Sequence, residues 1–373
     1  MAGIYLHIPF CKQQCTYCDF HFSTSFEVYR SEMIDAISNE LSTRVAYLDQ
    51  KPLETIYFGG GTPSILKKEE LSRLLSTIQS NFEIDPGAEI SLEANPDDIS
   101  IESLREWKEL GINRLSIGLQ SFKAADLEWM NRAHTVDESQ NCVRLAQSEG
   151  FDDLTVDLIY GLPNLTMDEW KSHVQTVIDF DVPHISAYCL TVEEKTALHK
   201  MVTAGKIDSV SEDVQSEQFL ILLEMLEANG YAQYEISNFS KPGFESRHNG
   251  NYWKGEWYLG VGPSAHSFNG TSRRWNVANN RRYMKAMNEG SNYSETEVLS
   301  AENQFNERIL TGLRTTKGVN LDELEVISVP PAAFFTKIES FIGSKWMIRN
   351  KDVISLTKEG RLRADYIASE LFV

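Results

Sequence analysis

Six short β-rich runs alternate with longer stretches of helical spacing through the first half of the sequence, and that alternation limits the fold more than any other feature. The strand-like runs begin near Ile4 (IYLHIPF), Thr55 (TIYFGGG), Glu89 (EISLEAN), Arg114 (RLSIGLQ), Leu154 (LTVDLIYG) and His184 (HISAYCLTV). Between them apolar residues recur at helical intervals. Over residues 26–48 they are Val28, Met33, Ile34, Ile37, Leu41, Val45 and Leu48, which places one apolar stripe on a helix. Residues 69–78, 101–110, 138–148 and 167–180 read the same way. Strand-then-helix units in series require parallel strands joined by right-handed crossovers. A partial or complete (β/α) barrel and an open doubly wound sheet both satisfy this α/β pattern.

The texture changes after a helical stretch at residues 212–228. Between Lys241 and Lys285 the sequence is rich in Gly, Asn and aromatic residues, and helical spacing returns near Ser300. The expected organisation is a core barrel over residues 1–236, a connecting segment over 237–299 and a small, mainly helical domain over 300–373. Lys and Arg number 35 against 54 Asp and Glu, a net charge of −19. That balance argues against nucleic acid or an anionic membrane as partner, because proteins that bind them are basic. No apolar stretch approaches the roughly 18 residues of a spanning helix, and no basic segment followed by an apolar one opens the sequence. A cytoplasmic protein is expected.

Three of the five cysteines, Cys11, Cys15 and Cys18, crowd into a C-x3-C-x2-C loop just past the first strand. An odd, clustered set suits thiolates holding a metal group in a reducing compartment better than a disulfide framework. Zinc usually draws on a second pair of ligands, and no second knuckle follows. Three close thiolates suit a [4Fe–4S] cluster with one iron left open. Cys142, in a helical stretch, and Cys189, in the sixth strand, read as small core residues.

In parallel α/β folds ligands gather at the carboxyl ends of the strands. The second strand ends in Gly59-Gly60-Gly61-Thr62-Pro63, where absent side chains let backbone amides approach a ligand. The third carries Glu93 before Asn95-Pro96, the fourth ends at Gln120, and the fifth carries Asp157 before Gly161-Leu162-Pro163.

The cysteine spacing is similar to that of the radical S-adenosylmethionine (SAM) superfamily, and the strand-end residues resemble the SAM site of its anaerobic coproporphyrinogen III oxidase family over most of the chain. The resemblance implies a partial (β/α)6 barrel and a [4Fe–4S] cluster on Cys11, Cys15 and Cys18. It implies SAM held by Gly60, Gly61, Thr62 and Glu93 on the methionyl amine side, and by Gln120 and Arg132, with Arg132 as a fixed cation for a carboxylate. Asp157 would accept from the ribose hydroxyls, and Tyr5 and Tyr17 stand at family positions beside SAM and the cluster.

Three features separate this chain from the oxidases of that family. They carry a further cysteine where Phe20 stands here, they have a longer N-terminal extension, and residues 248–253 read His-Asn-Gly-Asn-Tyr-Trp. An H-N-x-x-Y-W motif resembles the heme chaperones of the HemW type, which implies heme as a ligand on His248, Asn249, Tyr252 and Trp253 and respiratory-chain hemoproteins as its recipients. Composition points the same way. Residues 241–285 hold eight basic residues against two acids, a local charge of +6. The same stretch holds three of the seven tryptophans. Aromatics, cations and an imidazole complement the disc, carboxylates and iron of heme. His248 is the first candidate for the iron ligand and His266 the second; His7, near the cysteine loop, lines either the cavity or the core. The rival reading is a radical-SAM oxidase of a porphyrinogen, which would cleave SAM reductively and abstract a hydrogen. The radical-SAM machinery serves either activity, but with Phe20 in place of the additional cysteine the sequence argues against coproporphyrinogen oxidase.

Overall fold

A computed structural model describes residues 1–208 and 210–373. The six expected strands form β1 (Ala2–Ile8), β2 (Leu53–Gly60), β3 (Ile84–Ala94), β4 (Arg114–Gln120), β5 (Asp153–Tyr160) and β6 (His184–Cys189). Helices follow the strands, the main ones at Arg30–Thr43, Lys68–Asn81, Ile101–Glu109, Val136–Ser148, Met167–Asp179 and Glu212–Ala228. Their starts are written in the sequence. Thr135 and Thr166 accept from the backbone N–H three residues on, while Glu138 and Glu169 accept from the cap's own N–H, which satisfies donors that a bare helix end leaves open.

β1 to β6 run parallel and in chain order. Their alternation assigns two different faces. Ile4, Leu6, Ile56, Phe58, Leu92 and Leu115 are among the residues that join the apolar cluster with the helices. The intervening positions (Tyr5, Thr55, Tyr57, Glu89, Glu93, Arg114, Asp157 and His184) carry polar side chains along the concave face. This is a partial (β/α)6 barrel with an unusually polar interior.

Residues 237–299 do more than connect. β8 (Asn238–Ser240), with β7 (Ala232–Glu235) beyond it, extends the sheet antiparallel from β6. β9 (Trp257–Val261) returns to the other side and pairs parallel with β1, Ala2 opposite Trp257 and Leu6 opposite Val261. It is a seventh parallel strand. β10 (His266–Phe268), β11 (Ser272–Asn276) and β12 (Ser294–Val298) continue antiparallel from it. The twelve-stranded sheet does not close, and β12 and β7 are its edges.

Two buried carboxylates hold this stretch against the barrel. Glu40, from the first helix, is fully buried and accepts from the Gly262 N–H (2.9 Å), the Asn276 amide (2.9 Å) and the Tyr283 hydroxyl (2.6 Å), with Arg44 at 3.3 Å. Glu89, on β3, accepts from the backbone N–H groups of Arg247 (2.9 Å) and His248 (3.0 Å) at the start of the Arg247–Lys254 helix, where open amides and the helix dipole favour an anion.

From Phe305 onward a second apolar cluster forms around Ile309, Leu313, Ile338, Ile354 and Ile367. The region is mainly helical, but β13 (Val319–Asn320), β14 (Met347–Asn350) and β15 (Val353–Leu356) add a small antiparallel sheet. The Ile236 N–H donates to the Arg314 carbonyl (3.0 Å) and ties this region to the barrel. Among the described residues no helix is long and apolar enough to cross a membrane.

Glu40→Ala takes the acceptor from the Tyr283 hydroxyl and the partner from a buried Arg44, and leaves the Asn276 amide with the Gly262 carbonyl alone. Removing one partner of such a buried set costs about 3–5 kcal/mol. Denaturant unfolding followed by tryptophan fluorescence is expected to show a loss of that order; a change below about 1 kcal/mol, the scale of a typical surface pair, would contradict the role assigned to Glu40.

Candidate functional site

At the carboxyl ends of the strands a cavity of about 410 Å3 opens, and its wall includes Cys11, Cys15, Cys18, Tyr17, Gly60, Gly61, Thr62, Glu93, Gln120, Arg132 and Asp157. Residues separated by up to 146 positions in the chain meet there because every parallel strand delivers its end to the same rim. Phe20 also lines the opening and is exposed.

The cysteine loop is fixed from both sides. The Cys11 N–H donates to the Ser23 carbonyl (3.1 Å), the Thr16 N–H to the Met130 carbonyl (3.1 Å), and the Asn131 amide to the Gln14 carbonyl (2.8 Å). Lys12 reaches Asp97 at 2.7 Å and also pairs with Asp98. All three thiols are free. Burial pushes Cys11 up to about 11 and Cys18 up to about 12; coordination to a metal would remove those protons outright. Among the described residues no three His, Cys, Asp or Glu side chains are gathered to hold a single metal ion. Three free thiols on one anchored loop at a cavity mouth fit an iron–sulfur cluster.

Glu93 bridges the glycine turn and the barrel interior. Its Oε2 accepts the Gly60 N–H (3.1 Å) and its Oε1 the Tyr57 hydroxyl (2.9 Å). Burial lifts its pKa to about 7, with nearby Asp157 adding to the rise and the two hydrogen bonds opposing it. Asp157 is lifted to about 6, again by burial first, and the Ser116 hydroxyl lies 3.4 Å from it. Gly60 has φ +109°, a conformation that glycine adopts readily and that side chains disfavour.

Arg132 is held through Nη2 by Asn95 Oδ1 (2.7 Å) and the Gly118 carbonyl (2.9 Å), and its Nη1 lies 3.6 Å from Cys15 Sγ. Its buried Nε has no partner among the described residues. A fixed guanidinium with a spare donor suits a ligand carboxylate. Gly118 makes this possible, since a Cβ there would come within 2.8 Å of Gln120 Nε2 and 3.3 Å of Arg132 Nη2. Gln120 itself has φ +70° and ends β4 at an irregular register.

Some residues emerge only in the structure. Asn95, Ser116, Gly118 and Tyr188 line the cavity with the expected set. Asn95 stood in the sequence beside Pro96, but nothing local marked it as the support of Arg132. Cys142 is buried as expected, whereas Cys189 is half-buried and lines the cavity instead of packing wholly in the core. Tyr5 lies one layer below the rim, its ring 6.1 Å from that of Tyr57 and its hydroxyl 3.2 Å from His7 Nδ1. His7 is buried beneath the turn at Gly60 and does not line the cavity.

The His-Asn-Gly-Asn-Tyr-Trp residues lie at the opposite end of the barrel, on the Arg247–Lys254 helix. His248 is buried, with Nδ1 2.8 Å from Thr55 Oγ1 and Nε2 2.9 Å from the Tyr252 hydroxyl, and it stacks on Tyr57 with ring centroids 4.9 Å apart. Burial lowers its pKa to about 3. Both ring nitrogens are therefore engaged, and ligation of an iron by His248 requires one of these contacts to break. The Asn249 N–H is capped by Ser246 Oγ (3.3 Å). Tyr252 and Trp253 line a second opening against the C-terminal region, where Arg314 lies over the Trp253 ring at 5.5 Å.

Fold, cysteine loop and strand-end cavity together define a radical-SAM protein. Residues 5–177 match the radical SAM superfamily model, and residues 299–363 match the HemN C-terminal domain. The chain is 36% identical to the heme chaperone HemW of Bacillus subtilis over 97% of each chain. It is 34% identical to HemW of Mycobacterium tuberculosis over 99% of this chain and 94% of that protein. Coproporphyrinogen III oxidase (HemN) from Escherichia coli shares the fold at a TM-score of 0.85 and 22% identity, covering 100% of this chain and 90% of that one. The chain belongs to the family of the HemW heme chaperones.

Because burial raises Glu93 from 4.5 to about 7, the folded protein holds a proton there that the unfolded chain releases at lower pH. Stability from this group is thus lost as pH rises from about 4.5 toward 7. Glu93→Gln keeps an acceptor for Tyr57 and removes the titration. It is expected to melt above wild type at pH 8 and to lose that advantage by pH 5. A difference in melting temperature that is the same at both values would rule out a raised carboxyl at Glu93.

Proposed function

We propose that this protein is a cytoplasmic heme chaperone on a radical-SAM scaffold, with a [4Fe–4S] cluster and SAM as cofactors, and that it passes heme to respiratory hemoproteins. Cys11, Cys15 and Cys18 would hold the cluster. Gly60, Gly61, Thr62, Glu93, Gln120, Arg132 and Asp157 would hold SAM, with Tyr17 against the cluster and Tyr5 behind the site. When bound, the cluster would supply an electron and an open iron at the SAM site. The protein's own part is to orient: Arg132 offers a donor to a carboxylate, Asp157 accepts from hydroxyls, and the glycine turn leaves room for the backbone to close on the ligand.

The observation that carries the chaperone reading over the oxidase reading is Phe20. The oxidases of the family place a further cysteine at this position, and here an exposed phenyl ring stands at the cavity mouth. Full-length likeness to relatives named heme chaperones supports the same choice, as does the basic, aromatic stretch between Lys241 and Lys285. Within it, the His248-Asn249-x-x-Tyr252-Trp253 helix runs from the barrel interior to the aromatic opening at the C-terminal region.

The test is a pair of measurements on anaerobically reconstituted protein: heme titration by absorption, and assay of coproporphyrinogen decarboxylation. Heme binding without turnover is expected; turnover without heme binding would establish the oxidase instead. In the same preparation Cys11, Cys15 and Cys18 replaced together by alanine should abolish the iron and sulfide content and the cluster EPR signal. Asp157→Ala should weaken SAM binding about tenfold, as for a lost charged hydrogen bond of about 1.5 kcal/mol. Unchanged SAM affinity would remove Asp157 from the site.

A further inference from the structure

Two openings outside the SAM cavity carry the chemistry of a porphyrin, and they differ in what each offers the iron. The one bounded by Tyr252, Trp253, Tyr258 and Arg273 is about 410 Å3. Its arginines are committed, Arg273 to Glu307 and Arg308 to Glu323, and among the described residues no imidazole lines it. His248 lies behind it with both nitrogens engaged.

The other opening, about 570 Å3, lies between the β10–β11–β12 edge of the sheet and the Asn280–Glu289 helix. On its wall stands His266, exposed, with no hydrogen bond to either ring nitrogen among the described residues. Trp275, its cross-strand neighbour, lies near-parallel to the imidazole at 27° with centroids 6.3 Å apart. Val277, Ala286 and Tyr293 supply apolar wall, and Arg282 and Lys285 supply cations. Lys285 lies 3.9 Å from Glu289, whereas Arg282 makes no ion pair among the described residues. Glu295 is the other acid on the wall.

We infer that the heme iron is ligated by His266 in the pocket between β10–β12 and the Asn280–Glu289 helix, with Arg282 pairing a propionate. The inference rests on the heme-chaperone reading and names its site. It assigns separate duties to the two histidines: His266 meets the iron, and His248 holds the motif helix in the barrel.

Ferric heme titrated into the full-length, cluster-loaded protein tests this. His266→Ala should weaken binding at least tenfold and abolish the wild-type Soret position. His266→Cys should give a different, thiolate-type spectrum, a change that a merely structural role would not produce. Arg282→Ala should weaken binding more at low salt than at high salt, because screening discounts exposed pairs. In each variant the cluster EPR signal should remain, showing that the protein has folded. Wild-type affinity and spectrum in both His266 variants would overturn the assignment while leaving the chaperone reading intact. Loss of heme in His248→Gln with no effect in His266→Ala would move the ligand to the motif helix. A wild-type protein that binds no heme at all would refute the chaperone reading, and this inference with it.

Discussion

The concave face of the sheet presents polar side chains on strand after strand, and satisfying them is the constraint from which both ends of the barrel follow. A buried polar group without a partner costs about 1–3 kcal/mol, so an interior lined by Thr55, Tyr57, Glu89, Glu93, Arg114 and His184 needs a matching set. The strands supply part of it, as when Arg114 donates to Thr155 Oγ1 (2.7 Å) and Tyr57 to Glu93. Tyr234 of β7 answers His184 at 2.7 Å, and much of the remainder comes from residues 237–299. His248 answers Thr55, its backbone and that of Arg247 answer Glu89, and its ring covers Tyr57. The motif helix is thereby a plug at the amino ends of the strands. Above it Tyr57 touches both His248 and Glu93, so a single side chain spans the distance between the motif and the glycine turn of the cavity.

Much of this was legible in the sequence, for identifiable reasons. Period-two burial and capping boxes such as Thr135-x-x-Glu138 are local, so β1 to β6 and their helices fall within a few residues of their expected limits. The rim residues were legible because parallel strands send their carboxyl ends to one side, whatever their separation in the chain. What could not be read depends on non-local pairing. Trp257–Val261 looks like any short apolar run until β1 is seen to accept it as a parallel neighbour, and this turns an expected connector into part of the sheet. The direction of a side chain was equally hidden. His248 and His266 both sit in the same basic, aromatic stretch, yet one turns into the barrel and the other out to solvent. Cys189, at the last residue of β6, reaches the cavity because the strand ends there.

His7 connects these parts physically. Its Nδ1 contacts the Tyr5 hydroxyl, and its Nε2 lies 2.7 Å from the carbonyl of His21, just beyond the cysteine loop, and 3.5 Å from Ser264 Oγ. His21 in turn lies 2.7 Å from Asn280 Oδ1, at the start of the helix that walls the His266 pocket. Burial lowers the pKa of His7 to about 4, so at neutral pH it is an uncharged spacer with fixed hydrogen bonds. The glycine turn, the cysteine loop and the wall of the pocket at His266 are therefore joined through the contacts of one packed imidazole.

Charge completes the arrangement. A net charge of −19 would repel an anionic ligand if it acted over the whole surface, but at physiological salt the Debye length is about 8 Å. Beyond that distance the acids on the outer helices are screened, and the potential in the opening at the β10–β12 edge is set by nearby charges of both signs, Arg282 and Lys285 with Glu289 and Glu295. The basic stretch has few acids of its own, and two of its arginines, Arg273 and Arg274, lie over aromatic rings, those of Phe268 and Tyr293. Arg273 is paired with Glu307, and Arg282 and Lys285 share the wall of their opening with Glu289 and Glu295, so the positive charge of residues 241–285 is local and partly offset by neighbouring acids.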